Sequence, residues 1–246
     1  MKKLTMVAFF TALCTTIGLC GCVIVHFTDR NAVRGRGDPE RYEIRTGQFS
    51  SISVEGHTDI HYYSAAHDYV TLEVQPNLQE YIVVEVIDGN LTIRPTRRID
   101  FAASKPAILT VSTPVLEQLI VSGACTFTAH DTISADSFTL RVSGAGEGRA
   151  QLDVENLYVN ISGAGSFDLS GRADIAELRL SGAGDLDALS LQSREAIIRL
   201  SGVGSVGIGS SENLTIVASG TGSVEYRGSP NVNLSNSGMV SVRRVD

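Results

Sequence analysis

Cysteine is scarce in this chain and poorly placed for crosslinking. Of the four, Cys14, Cys20 and Cys22 lie within the first 22 residues, which leaves Cys125 alone in the remainder. That excludes an intramolecular disulfide framework, so a folded body must be held by packing. Positive charge is also short: 20 Lys and Arg stand against 27 Asp and Glu, a formal charge of −7. An acidic surface argues against a nucleic-acid partner and against electrostatic binding to anionic lipid. The apolar run MVAFFTALCTTIGL, Met6–Leu19, is too short for the roughly 20 residues of a comfortable membrane helix. After it, no amphipathic helical period is found. No Ser/His/Asp, Cys/His or paired-carboxylate set recurs with a plausible catalytic geometry, and no cofactor or metal fingerprint stands in its required context.

What is present is a globular balance, 43% apolar and 19% charged residues. Lys2 and Lys3 ahead of the apolar run give residues 1–21 the anatomy of a secretory signal. The end of that segment, LCGC, resembles the lipobox of bacterial lipoproteins: Leu19 lies three before Cys22 and the small Gly21 immediately precedes it. The resemblance implies lipidation at Cys22, and several acyl chains at roughly 0.8 kcal/mol per buried CH₂ would hold the protein stably on a membrane. Removing the signal takes two basic residues and no acidic one, which moves the formal charge to −9. Residues 22–42 then read as the lipidated cysteine and a polar tether, and 43–246 as a single domain. Fully extended, residues 23 to about 46 could reach roughly 80 Å.

From residue 43 onward, apolar and polar residues alternate with a period of two, as in FSSISVEG, YVTLEV and AILTVSTP, with Gly, Pro, Asn and Asp between the runs. The class is all-β. The second half carries a repeat. The Ser-Gly pairs that keep this period, seven of them, begin at Ser122, Ser143, Ser162, Ser181, Ser201, Ser219 and Ser237, spaced 21, 19, 19, 20, 18 and 18 residues apart. Three and one residues before six of these serines are apolar pairs such as Leu119/Val121 and Leu178/Leu180; Leu234/Asn236 in the last unit slips. Five and seven residues after come pairs such as Phe167/Leu169 and Val206/Ile208.

A hairpin array reverses direction at every turn and would not keep equivalent residues on one face at a constant offset. A parallel β-solenoid does, because strands stack on their counterparts ~4.8 Å away. The pattern therefore predicts a right-handed parallel β-helix of about 18–21 residues per coil. Residues 119–246 form its SGxG coils, and 43–118 form irregular N-terminal coils or a cap. The glycines of the repeat, Gly123, Gly144, Gly146, Gly163, Gly165, Gly182, Gly184, Gly202, Gly204, Gly220, Gly222 and Gly238, are read as structural corners. They supply backbone angles closed to other residues and let adjacent coils stack closely.

The ordered series GQFSSISVEGHTDIHYYS, VTLEVQPNLQEYIVVEVIDGNLTIRP, TPVLEQLIVSGA and the SGAG repeats resembles the family named putative auto-transporter adhesin, head GIN domain, over residues 43 to 244. The resemblance implies a β-helical fold on secreted or lipid-anchored bacterial proteins and brings no catalytic residues. Cys125, where most units have Gly, departs from it.

Other motifs carry less. GVGSVG, Gly202–Gly207, has the letters of a dinucleotide fingerprint but leads into a polar turn and strand where a helix is required. Asp168 and Asp187 would stack one coil apart as the candidate for a cation site, though the series is not continued by Gly207 or Glu225. RGD, Arg36–Asp38, falls in the expected tether. His57 and His61 share a strand face ~13 Å apart, too far for a metal pair. Tyr62, Tyr63, Tyr69 and Tyr81 either pack the cap or form a sugar- or peptide-binding surface.

The expectation is a non-enzymatic, lipid-anchored solenoid of the bacterial cell envelope, on the outer membrane, presenting a surface for adhesion or interaction. A glycan, a protein or a second copy of the chain are its candidate partners. The alternatives are a polysaccharide-active β-helix enzyme and an envelope signalling or stress accessory protein.

Overall fold

The computed structural model describes residues 32–99 and 104–246. The signal segment and Cys22 lie outside the described residues. The described residues are all-β apart from one short 3₁₀ turn, Pro76–Tyr81.

Each coil of the repeat has three sides. Side one carries β2 (Ser51–Val54) and β6 (Asn90–Pro95) of the N-terminal region and then the strand before each Ser-Gly: β8 (Gln118–Val121), the last parts of β10 (Ile133–Val142), β11 (Ala145–Ile161), β12 (Ala164–Leu180), β13 (Ala183–Leu200) and β14 (Val203–Ala218), and finally β16 (Asn231–Asn236). Side two carries the strand after it: β3 (His57–Ser64), β7 (Ala107–Thr113), β9 (Ala124–Ala129), the first parts of β11 to β14, β15 (Thr221–Arg227) and β17 (Met239–Arg244). Side three is short, for example Leu152–Val154 stacked on Gly171–Ala173. Strands β11 to β14 run 16–18 residues because they bend around corners without leaving the coil-to-coil ladder.

Every pairing among the repeat coils is parallel, and on sides one and two it is in register by unit, for example Ala145↔Ala164 and Leu178↔Ile198. Alternate side chains therefore form ladders. Val121, Val142, Ile161, Leu180 and Leu200 make one inward column, each at most 1% exposed. Period-two alternation and stacking at a fixed offset thus build one continuous core that no single unit could close.

The N-terminal region is wound differently. The first coil in sequence, β2 and β3, is internal to the stack. It is flanked by β6 and β7 on one side and by β8 and β9 on the other, all parallel. Beyond β7 lie β4 (Tyr69–Val74) and then β1 (Glu40–Ile44), both paired antiparallel. Beyond β6 lies β5 (Ile82–Ile87), also antiparallel. Asp88 at φ 50 and Gly89 at φ 75 form the two-residue β5–β6 turn, the sequence and backbone of a type I′ hairpin.

The expected tether does not extend to residue 42. Val33 bridges Ile99, Gly35 N–H donates to Ser104 Oγ at 2.8 Å, and β1 is a paired strand. Gln75, 6% exposed, ties this approach down by donating to the Gly37 carbonyl and accepting from the Lys105 N–H.

Candidate functional site

The repeated glycines come first, because they shape every surface around them. Gly182 shows the constraint: a Cβ there would sit 1.8 Å from the Gly163 carbonyl oxygen. That oxygen accepts the Ala183 N–H of the next coil at 3.0 Å, so the two coils touch backbone to backbone. Gly123, Gly144, Gly163, Gly202, Gly220 and Gly238 repeat the relation, with the same atom 1.9–2.3 Å away. None of these seven has a positive φ. Close stacking, and not an unusual backbone angle, is what requires glycine in this column. The second glycines divide. Gly184, Gly204 and Gly222 combine φ of 143–150 with a carbonyl under 2 Å away, whereas Gly146 and Gly165 meet only side chains at 3.1 Å first. In that same ladder Cys125 pairs with Gly146 and Thr58. Its thiol is buried and desolvation pushes its pKa up to about 12, which leaves it protonated and unreactive as a nucleophile.

Ser122, Ser143 and Ser162 donate their hydroxyls to the carbonyls of Val54, Val121 and Val142 in the neighbouring coil. The Ser-Gly corner is therefore committed to the stack. Any ligand must be met by the outward side chains.

Asp168 and Asp187 are partners across adjacent coils, as the spacing required. Arg149 stands directly opposite Asp168 on the other side, and Asp187 Oδ1 accepts the Leu189 N–H at 3.0 Å. No group of three or more His, Cys, Asp or Glu side chains suited to a metal is gathered among the described residues. The RGD tripeptide is pinned: Arg36 N–H donates to Asn77 Oδ1 at 2.7 Å, and Asp38 pairs with Lys105 Nζ at 2.9 Å. That ion pair lowers the Asp38 pKa.

His61 has a partner that spacing along one strand could not show. Its Nδ1 lies 2.9 Å from His130 Nε2, with ring centroids 5.2 Å apart. The short nitrogen distance and long centroid distance set the rings end to end, an arrangement suited to one shared N–H. Tyr63 stacks on His130 at 4.6 Å and 7°. The tyrosines separate by role. Tyr62 is 1% exposed and belongs to the core, Tyr63 and Tyr69 are exposed, and Tyr81 lies under the Arg97 guanidinium.

A concavity lies elsewhere, on side three. β13 pairs Ala188 with Ile208 and then Gln192 with Gly209, so Leu189, Ser190 and Leu191 stand opposite no residue of β14. Leu191 turns into the core, and the irregular segment borders a groove of about 640 Å³. Arg172, Gln192, Gly209 and Arg227 are successive members of one ladder along it. Arg194 enters from beside them and binds Asp174 through Nε at 3.1 Å and Nη2 at 3.2 Å, with Glu195 and Glu212 close by. The Asp174 and Glu195 bonds raise the pKa of this guanidinium still further. Arg227 Nη1 donates to the Leu189 carbonyl at 3.3 Å, reaching back across Gly209. The sequence signal for this groove was the uneven unit length, 20 residues followed by 18. Length alone does not say which side of the coil absorbs the difference.

A profile of the family described as "Putative auto-transporter adhesin, head GIN domain" matches residues 48–230. The search of curated proteins finds no match. Among solved structures, a putative adhesin from Bacteroides fragilis superposes with a TM-score of 0.82 at 22% identity, covering 87% of this chain and all of that one. A putative adhesin from Parabacteroides merdae gives 0.66 at 20% identity over 88% of this chain and all of its own. A putative lipid binding protein from Parabacteroides distasonis gives 0.64 at 21% identity, over 87% and all respectively. At these identities the likeness is one of fold.

Proposed function

Since the chain belongs to the putative auto-transporter adhesin, head GIN domain family, we propose that it is a lipid-anchored, non-catalytic solenoid of the bacterial cell envelope. It holds an outward side-chain surface clear of the membrane for adhesion to a glycan or protein partner. The observation that carries this reading is the division between inward and outward positions. Inward ladders repeat apolar residues and glycine, while one outward ladder of side two runs Asp59, Thr126, Glu147, Ser166, Asp185, Ser205. A surface that varies from coil to coil over a constant interior suits recognition of an extended partner.

Catalysis finds less support. The two carboxylates that line the groove, Asp174 and Glu212, both face the Arg194 guanidinium, so neither is placed as a free proton donor. No helix among the described residues is long and apolar enough to cross a membrane. In this reading attachment comes from the lipid on Cys22.

The test has two arms. Cys22→Ala should move the protein from the membrane fraction to the soluble one, and retained membrane attachment would refute the anchor. Cells carrying the chain should adhere to immobilised glycans or cell surfaces better than cells lacking it, with no release of shortened polysaccharide. Product release would favour the enzyme.

A further inference from the structure

The geometry points to a binding site for an acidic glycan in the side-three groove, with Arg172 and Arg227 taking the carboxylate or sulfate groups of the saccharide. This rests on the adhesion reading above and gives it a ligand class. The chain carries a net charge of −7, yet three guanidinium groups from three coils meet in this one groove. Arg194 is balanced by Asp174 and its acidic neighbours. Arg172 and Arg227 form no ion pair with a described residue, and both are exposed. Planar guanidinium groups bind carboxylate and sulfate oxygens in pairs, and two of them left without a carboxylate make a receptor for such groups.

Their placement suits a chain-like anion. The two arginines are three coil steps apart in one ladder, roughly 14 Å between Cα atoms at ~4.8 Å per step. Gln192 lies between them and offers an amide. Gly209 leaves the floor bare, since a Cβ there would meet the Leu191 carbonyl oxygen at 2.4 Å. The rim at Ser190 and Ser229 is exposed and hydroxyl-bearing. The volume, about 640 Å³, lies within the ordinary range of ligand sites.

These features favour a saccharide over other anions. The strands forming the groove pair on both flanks, so an acidic peptide finds no free edge to extend. The lining contains no aromatic ring on which a nucleobase could stack.

Titration calorimetry of the full chain in detergent, with oligogalacturonate, heparin-derived oligosaccharide, neutral dextran and polyglutamate as probes, tests the site. At least one of the two acidic glycans should bind, dextran should not, and affinity should fall as salt rises. Arg172→Ala and Arg227→Ala should each weaken binding about tenfold, the scale of one lost charge-assisted hydrogen bond. Arg149→Ala, an exposed guanidinium on side two, should leave it unchanged. Three outcomes overturn the site: neither acidic glycan binds, the double variant binds as well as the parent, or polyglutamate binds more tightly than both glycans. If cells carrying the double variant still adhere as the parent does, the groove assignment falls and adhesion stands. If the parent itself confers no adherence, the adhesion reading falls separately.

Discussion

At the N-terminal end of the solenoid, antiparallel strands β1, β4 and β5 lie over the last parallel coil; at the C-terminal end, β16 and β17 simply continue the parallel stack. Interior positions respond accordingly. Leu72 and Val74 of β4 are each 1% exposed, while Val232 and Leu234 occupy core ladders on β16 at 41% and 47% exposure. The comparison teaches how stability is distributed. A repeat coil contributes through what it shares with its neighbours, so coils are close to interchangeable. The cap contributes through contacts made only once.

Deletion tests that contrast with the largest expected effect. Removing residues 69–87, which hold β4, the 3₁₀ turn and β5, should abolish cooperative folding. Removing residues 162–180, one whole unit of equal length, should leave a folded, shorter solenoid, because Ile161 then runs into Ser181 with the pattern intact. Circular dichroism with thermal melting reads both, and equal loss in the two variants would break the comparison. A smaller effect separates the ends at single residues. Leu72→Ala should cost about 2–5 kcal/mol in denaturant unfolding, as expected for a fully buried leucine. Leu234→Ala should cost under about 1 kcal/mol, because its side chain is already half in water.

The same contrast explains what was legible in the sequence. Seven Ser-Gly units repeat the same local demand, so period, inward pairs and parallel stacking could be read from spacing. The N-terminal winding could not, because β6, β2 and β8 carry similar alternation and nothing in it says that β2 lies between the other two. The approach segment read as a tether because its polar Arg, Gly and Asp residues look solvated. Its anchors, Gln75, Asn77 and Ser104, lie about 40 to 70 residues away in the chain. The His61–His130 pair joins residues 69 apart, and spacing within one strand, which sets His57 too far from His61, could not show it. The groove depends on which side of a coil accommodates extra residues, a packing decision that unit length leaves open.

Gly182 offers the most direct test of the central claim, that the repeated glycines are stacking contacts and recognition belongs to the outward side chains. The measurement is the thermal midpoint of Gly182→Ala. With the Gly163 oxygen 1.8 Å from the new carbon, the coils must part, and a cost of about 3 kcal/mol or more should lower Tm by roughly 10 °C for a domain of this size. Binding by the protein that remains folded should be unchanged. An unaltered Tm with binding lost would contradict the account and make the glycine repeat a ligand loop.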